Sequence, residues 1–458
     1  MAFAALDSEL TGPLFATAEM RVVFSDRARL AAFLQVEAAL AEAEARHGLA
    51  PAALAPAIRK LKAGDFDIAA LGARTADAGV PTIPFLKAAE AKLPEKLRVA
   101  FHKGATSQDV LDTALALQMA AAFDLIAGDL AAILAALAAL AKKHRRTPQV
   151  GRSLGQHAAP ITFGFAVAVW LSGVADSAVA LAATRRNALV ASLGGPVGTL
   201  AALGPAAADV SRDFAAILGL GVAPIAWHTA RGRIVAVGAW LTALIGALAK
   251  IATDVVFLSA TEVGEVNEAP AEGRGGSSAM PNKQNPVSAT VILAAHNAAA
   301  AQLASLAAAM AAGQQRPAGA WQSEWHTLPP LFGLVSGALR EARRLAETLV
   351  VHPDRMRANL DLTRGLLFSD AVASRLAGKL GRDAAHRIME AAAIAVRDGG
   401  GSLQDVIASN AAIPPVLRKE VEPAFDLTPA IDAAAACVDR ALAAAKAVRR
   451  ALETGKEV

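Results

Sequence analysis

Four long stretches of this chain lack proline, and each is dominated by alanine and leucine. They run from about Ser107 to Arg146, Ile161 to Ala191, Trp227 to Glu268 and Val287 to Gln315. Ala and Leu are the strongest helix formers, and an interval without proline can propagate a helix without interruption. Helices of thirty to forty residues reach roughly 45 to 60 Å, longer than a compact domain is wide. The expectation is an all-α fold built on an elongated bundle, and no segment carries a comparable strand pattern. Residues 1–106 hold shorter helical patterns such as Asp26 to Arg46, broken by Pro51, Pro56, Pro81, Pro84 and Pro94. His352-Pro353 opens a smaller helical region. Three regions are therefore expected: 1–106, a central long-helix bundle over 107–351, and 352–458.

At 54% hydrophobic and 19% charged residues, with a mean hydropathy of +0.39, the chain must be weighed as a membrane protein. The charge-free stretch from Pro286 to Gln315 argues against it. It carries Ser288, His296, Asn297, Gln302, Ser305 and Gln314, which a lone lipid-facing helix would not tolerate well. Helices apolar on most sides are also what a large soluble bundle with extensive subunit contacts requires. No basic and apolar leader follows Met1, so a cytoplasmic location is expected. Cys437 is the single cysteine and lacks metal-ligand neighbours. The 45 basic and 41 acidic residues are interleaved, which disfavours a nucleic-acid partner. No dinucleotide fingerprint, P-loop or metal spacing is visible, so no cofactor is expected.

Between the helices lie proline- and glycine-rich segments, Pro148 to Pro160, Leu193 to Pro205 and Pro270 to Pro286, which are expected to be loops and to carry the chemistry. The last contains Gly275-Gly276-Ser277-Ser278-Ala279-Met280-Pro281-Asn282-Lys283-Gln284-Asn285-Pro286. Glycines there offer approachable backbone N–H groups and Lys283 a cation, while Asn285 suits an N-cap and Pro286 a first helical turn. Together with the positive end of the following helix they describe an anion site. A second segment, His102-Lys103-Gly104-Ala105-Thr106-Ser107-Gln108-Asp109, places Thr106 three residues before Asp109 as a capping box. A capped helix start is itself a carboxylate-binding element, so the two roles are compatible. His102, just ahead of it, is a candidate for titration near neutral pH.

These segments resemble the fumarase/aspartase superfamily. The 275–286 run is similar to its signature Gly-Ser-Ser-x-x-Pro-x-Lys-x-Asn, and 102–109 resembles its first active-site region. Gly151-Arg152-Ser153-Leu154-Gly155-Gln156-His157 resembles a third, in which Leu154 stands where members that eliminate amines or water place a histidine. The branch that lactonises 3-carboxy-cis,cis-muconate lacks that histidine. Trp227-His228-Thr229-Ala230-Arg231 and Glu324-Trp325-His326 are also similar to segments of that branch, although aromatic packing with polar tips would account for either one alone. The region Met20 to Glu44 extends the similarity to nearly the whole chain. Three positions depart from the branch: Asn282 and Gln284 flank Lys283 where His-Lys-Arg is usual, and Gly232 stands for a usual acidic residue.

The resemblance implies a reversible addition to, or elimination from, the carbon β to a carboxylate, passing through an aci-carboxylate carbanion. It implies Ser277 as proton carrier with Ser278 as alternate; a serine needs nearby positive charge and water exclusion to act as a base. Lys283, Asn285, Thr106, Ser107 and backbone N–H groups near Gly276 would stabilise the carbanion, with His102 also catalytic. Gln108, Arg152, Ser153, Gln156, Met280, Trp227, His228, Arg231 and His326 would line the substrate site. A homotetramer with a twenty-helix core, sites shared between subunits and a small polycarboxylate substrate complete the expectation. The alternatives are an adenylosuccinate-type or other fumarate-releasing lyase, and a helical scaffold without catalysis.

Overall fold

The computed structural model describes residues 3–276, 279–280 and 282–454. The long intervals form helices α2 (Ser107–Lys143), α3 (Phe163–Ala188), α4 (Gly232–Leu258) and α5 (Val287–Ala308), preceded by α1 (Asp26–Arg46) and followed by α6 (Leu328–Thr348). The helices are shorter than the proline-free intervals. Residues 227–231 and 259–265 make turns and loops instead, and 161–162 belong to a strand. Ser25 caps α1 by accepting from Ala28 N, and Thr162 caps α3 by accepting from Phe165 N.

Side-chain pairs fix the helix directions. Arg231, just ahead of α4, bonds Asp112 in the first turns of α2, so α2 and α4 start at one end. Trp170 near the start of α3 donates to Asp254 near the end of α4, so α3 runs the other way. A side chain on Gly238 would meet Leu306, and one on Gly246 would meet His296, so α5 is antiparallel to α4. The main core lies between these helices. It contains Phe123, Ile126, Leu130, Phe163, Leu171, Leu241, Leu244, Ile292 and Phe332, all fully buried.

A second core joins α1 to the start of α2 through Phe33, Phe85, Leu54 and Val110, and a third packs α7 (Ser369–Leu380) on α8 (Arg382–Arg397). The last helix, α9 (Thr428–Thr454), returns to the bundle and packs on α2 and α3, with Val438 in the main core.

One expected loop is a sheet. Strands β1 (Pro148–Ser153) and β2 (Gln156–Thr162) form an antiparallel hairpin in which Ser153 faces Gln156 across a two-residue turn. Leu154 and Gly155 at that turn both have left-handed backbones, φ 52° and 79°, the geometry that a tight hairpin demands. Both strands are edges, so Pro148 and Pro160 cost no ladder bond of a third strand. A short pair, β3 (Val266–Asn267) with β4 (Val350–Val351), closes the same end of the bundle.

Candidate active site

At the start of α2 the structure assembles a carboxylate cradle. Thr106 is the N-cap, and its backbone N–H donates to Asp109 Oδ2 at 3.0 Å, so the capping-box carboxylate is in place. Arg316 donates from one guanidinium nitrogen to Thr106 Oγ1 at 2.8 Å and from the other to Ser107 Oγ at 3.2 Å. Because both hydroxyl oxygens accept from Arg316, their own O–H groups are left to donate elsewhere. Two hydroxyls, one guanidinium and a helix N-terminus lie together here, which is what an anionic group requires.

Behind the cradle stands a buried scaffold. Asp109 accepts from Thr106 N, Gly195 N (2.8 Å), Gly194 N (2.9 Å), Ser192 Oγ (3.3 Å) and His228 Nε2 (2.6 Å). One carboxylate therefore locks the glycine turn at 194–195 and the 227–231 segment to the helix start. Gly195 could not be another residue without strain: φ is +67° and a side chain would meet Gly104 O at 2.7 Å. Trp227 donates to Ala191 O and lies under both Arg231 and Arg233. Arg231 is fully buried. Its guanidinium is divided between Asp112 and Glu324, and Trp321 Nε1 also donates to Asp112. Burial disfavours the charged form of Arg231, but the flanking carboxylates outweigh it and hold the arginine above its ordinary value. Gln108 is equally buried and donates to His228 O and Asp112.

These placements sort the expected residues. Gln108, Trp227, His228 and Arg231, expected to line the substrate site, are enclosed by protein partners and hold the cradle in shape. His326 is exposed on the turn 324–326 and is not among the partners of the cradle described above. Arg316 was not anticipated. It sits in Gly313-Gln314-Gln315-Arg316-Pro317, a run without a motif, and meets Thr106 from 210 positions away.

The other expected segments lie at the opposite end of the bundle, roughly 55 Å along α2 by its length. Arg152 pairs there with the fully buried Glu265, which also accepts from Gln149 and Asn359. Its guanidinium lies over Phe257. Ser153 and Gln156 are exposed at the hairpin tip. Leu154 is 100% exposed. His157, on β2, is lowered from the ordinary histidine value, first by burial and then by Arg152.

At this same end, Asn285 N donates to Gly275 O at 2.8 Å and Gly276 bridges Gln284, forming the neck of the 276–284 loop. Lys283 and Met280 are exposed on it. Ser277 and Ser278 lie outside the described residues. The neck is anchored by Arg274, which bonds Ser288 and Glu341, and Ser288 also donates to Glu341. One expectation is corrected. Asn285 is not the N-cap of α5; Pro286 holds that position, and the N–H groups of Ser288 and Ala289 donate to Glu268 at 3.0 Å each. Glu268 thus occupies the positive end of α5, and any anion bound by this loop must rely on Lys283 and loop groups instead.

Comparison with known proteins places the chain in a family. A family model described as "Lyase" matches residues 15–300, and one described as "Adenylosuccinate lyase C-terminus" matches 365–441. The chain is 41% identical to the 3-carboxy-cis,cis-muconate cycloisomerase of Pseudomonas aeruginosa, over 95% of this chain and 96% of that one. It is 40% identical to a nitrosuccinate lyase of Streptomyces davaonensis, over 96% and 95%. The crystal structure of the 3-carboxy-cis,cis-muconate lactonizing enzyme from Pseudomonas putida superposes with a TM-score of 0.89 at 39% identity, covering 96% of this chain and 100% of that one. The all-α bundle and these matches along nearly the full length agree: the chain belongs to the lyase family of the fumarase/aspartase superfamily.

Proposed function

We propose that this protein catalyses the reversible lactonisation of 3-carboxy-cis,cis-muconate in the catabolism of aromatic compounds, as a cytoplasmic homotetramer whose sites combine segments of several subunits. The observation that carries the reading is Leu154 at the fully exposed hairpin tip. In lactone opening, a base removes the proton α to one carboxylate, and the electron pair forms a carbon–carbon double bond as the ring carboxylate departs. A carboxylate is a weak base, with an ordinary pKa near 4, and leaves without being protonated. An amine or hydroxide would need an acid at that point, and leucine supplies no proton.

In the closing direction the substrate's own carboxylate attacks, so the protein must hold two ends of one molecule together. The Thr106–Ser107–Arg316 cradle serves one carboxylate, while Lys283, Asn285 and the loop N–H groups take the charge that develops on the other. Ser277 carries the proton, with Ser278 as the alternate. Ser153, Gln156 and Met280 come from exposed positions that a neighbouring subunit's cradle can receive. Arg152 shapes the hairpin from behind through Glu265.

The apolar faces support the oligomer. Helices α2 to α5 are long and apolar enough to cross a membrane, yet only 28% to 56% of their most apolar windows is buried within one chain. Packing these faces against other copies accounts for their composition in a soluble enzyme.

The test adds 3-carboxymuconate and follows loss of diene absorbance, with product identification. Lactone formation supports the reading, and no change with active loading of enzyme overturns it. A second reading is elimination from a substituted succinate, favoured by the nitrosuccinate lyase relative, because nitrite also leaves as a weak base. Fumarate release from nitrosuccinate without muconate turnover would select it.

A further inference from the structure

On the face of α1 that meets the 100–105 loop, Glu37 and Glu44 lie seven residues apart, two helical turns, and each is 1% exposed. Neither carboxyl is fully satisfied. Glu37 Oε2 and Glu44 Oε1 are buried without a hydrogen-bond partner, an arrangement that costs stability and asks for a reason. The loop delivers His102 onto them. His102 has a left-handed backbone, φ 56°, which is uncommon for a residue other than glycine. That conformation sets Nδ1 2.7 Å from Glu37 Oε1. Lys103, next in the chain, donates to Leu49 O and faces Glu44.

The loop is tied to the cradle. Gly104 O packs against Gly195, whose N–H donates to Asp109, the same carboxylate that accepts from Thr106 N. With Nδ1 taken by Glu37, only the Nε2 edge of His102 is left for a ligand, and the side chain keeps 21% exposure.

We infer that Glu37 is a positioning residue that fixes His102 so that its Nε2 edge binds a further carboxylate of the substrate beside the Thr106–Ser107–Arg316 cradle. This deepens the proposed function, since it assigns a group to the extra carboxylate of a tricarboxylate substrate. His102 acts in it as a cationic hydrogen-bond donor and transfers no proton. The charges facing it fit that role: burial opposes protonation, but Glu37 from α1 first and then Asp109 from α2, with Glu44 the least contributor, outweigh it and hold His102 above the ordinary histidine value. Glu44 is pushed up to about 8, by burial first, so at neutral pH it stays protonated and adds little competing charge.

The sign follows. His102 is cationic below its folded-state value, and carboxylate binding weakens as pH rises through it. Replacing Glu37 by glutamine removes the main charge that favours the imidazolium, so the loss should move to lower pH.

The experiment titrates the full-length protein with tricarballylate, an unreactive tricarboxylate, by calorimetry from pH 5.5 to 8.5, for wild type, Glu37→Gln, Glu37→Asp and His102→Gln. Glu37→Gln should bind on the order of tenfold more weakly at pH 7.5 and recover most of that loss at pH 5.5. Glu37→Asp should restore part of the binding, and His102→Gln should be weak at every pH. Glu37→Gln binding with the wild-type pH dependence, or His102→Gln binding as wild type, overturns the inference. Should Glu37→Gln fail to fold, the His102→Gln and Glu37→Asp arms decide it. Tricarballylate needs no turnover, so an enzyme inactive on muconate but showing this pattern would sink the proposed function and leave the positioning role standing.

Discussion

Replacing Arg316 by lysine keeps a positive charge beside the start of α2 but removes the fork that touches two hydroxyls. In the native site the guanidinium spans Thr106 Oγ1 at 2.8 Å and Ser107 Oγ at 3.2 Å, which leaves both O–H groups free of that contact to donate to a ligand. An ammonium is a point donor on a flexible stem and cannot reproduce both contacts in that geometry. A hydrogen bond to a charged group contributes about 1.5 to 3 kcal/mol. Losing one of the two should therefore lower kcat/KM by about 10- to 150-fold. Both kcat and KM should move, since the cradle orients the substrate in the ground state and the transition state alike. The assay is the loss of diene absorbance with 3-carboxymuconate, repeated for Thr106→Val and for the double variant. If the hydroxyl acts through Arg316, the two losses will be less than additive. Arg316→Lys turnover within about twofold of wild type would refute the reasoning, because it would mean the fork is dispensable.

Ser277→Ala should reduce turnover by roughly 10²- to 10⁴-fold without lowering the melting temperature, and wild-type rates in that variant would remove the serine from the mechanism. Mixed oligomers of Ser277→Ala and Arg316→Ala subunits should recover activity that neither variant has alone, whereas a site confined to one chain would show no recovery. Arg152→Ala leaves Glu265, fully buried, without its cation, and should cost about 3 kcal/mol or more, seen as a lower thermal midpoint. Glu44→Gln should stabilise the protein at neutral pH. The folded state holds the Glu44 proton to about pH 8, so the penalty grows as pH rises from the ordinary glutamate range to 8. The variant should gain up to about 3 kcal/mol at pH 7 and little at pH 4.5, measured by denaturant midpoints; an unchanged pH dependence would contradict it.

How much of this was legible in the sequence depended on whether the determinants were local. The bundle was legible because long alanine- and leucine-rich runs without proline have few other solutions, and Asp26 to Arg46 is a helix with those bounds. The Thr106–Asp109 cap was legible because its partners are three residues apart. The 148–162 hairpin was not. Pro148, Gly151, Gly155 and Pro160 mark it as a loop, and only the two-stranded pairing shows that prolines sit harmlessly on edges and a glycine in the turn. Arg316 and Glu268 were missed for a different reason. Each acts on a partner far along the chain, Arg316 across 210 positions and Glu268 across 20, and neither lies in a recognisable pattern. Glu37 was visible only as part of a helix resembling the family, since nothing local says that its carboxyl meets His102.

Two features of the long helices constrain each other. The cradle and the 276–284 loop sit at opposite ends of the bundle, roughly 55 Å apart along α2, so no loop movement within one chain can join Lys283 to Thr106. Shortening the helices would bring them closer but would also remove the apolar faces that remain uncovered in the single chain, Val169, Val179 and Val256 among them. A monomer would thus carry two half-sites and a large apolar surface, each without a use. Antiparallel packing of copies through those faces would set the loop end of one bundle beside the cradle end of another. The same association would bury the exposed valines and supply Leu154, Gln156 and Lys283 to a cradle that one chain leaves open. On this argument, a substitution that weakens the helix faces should abolish activity in proportion to the oligomer lost, even where every site residue is intact.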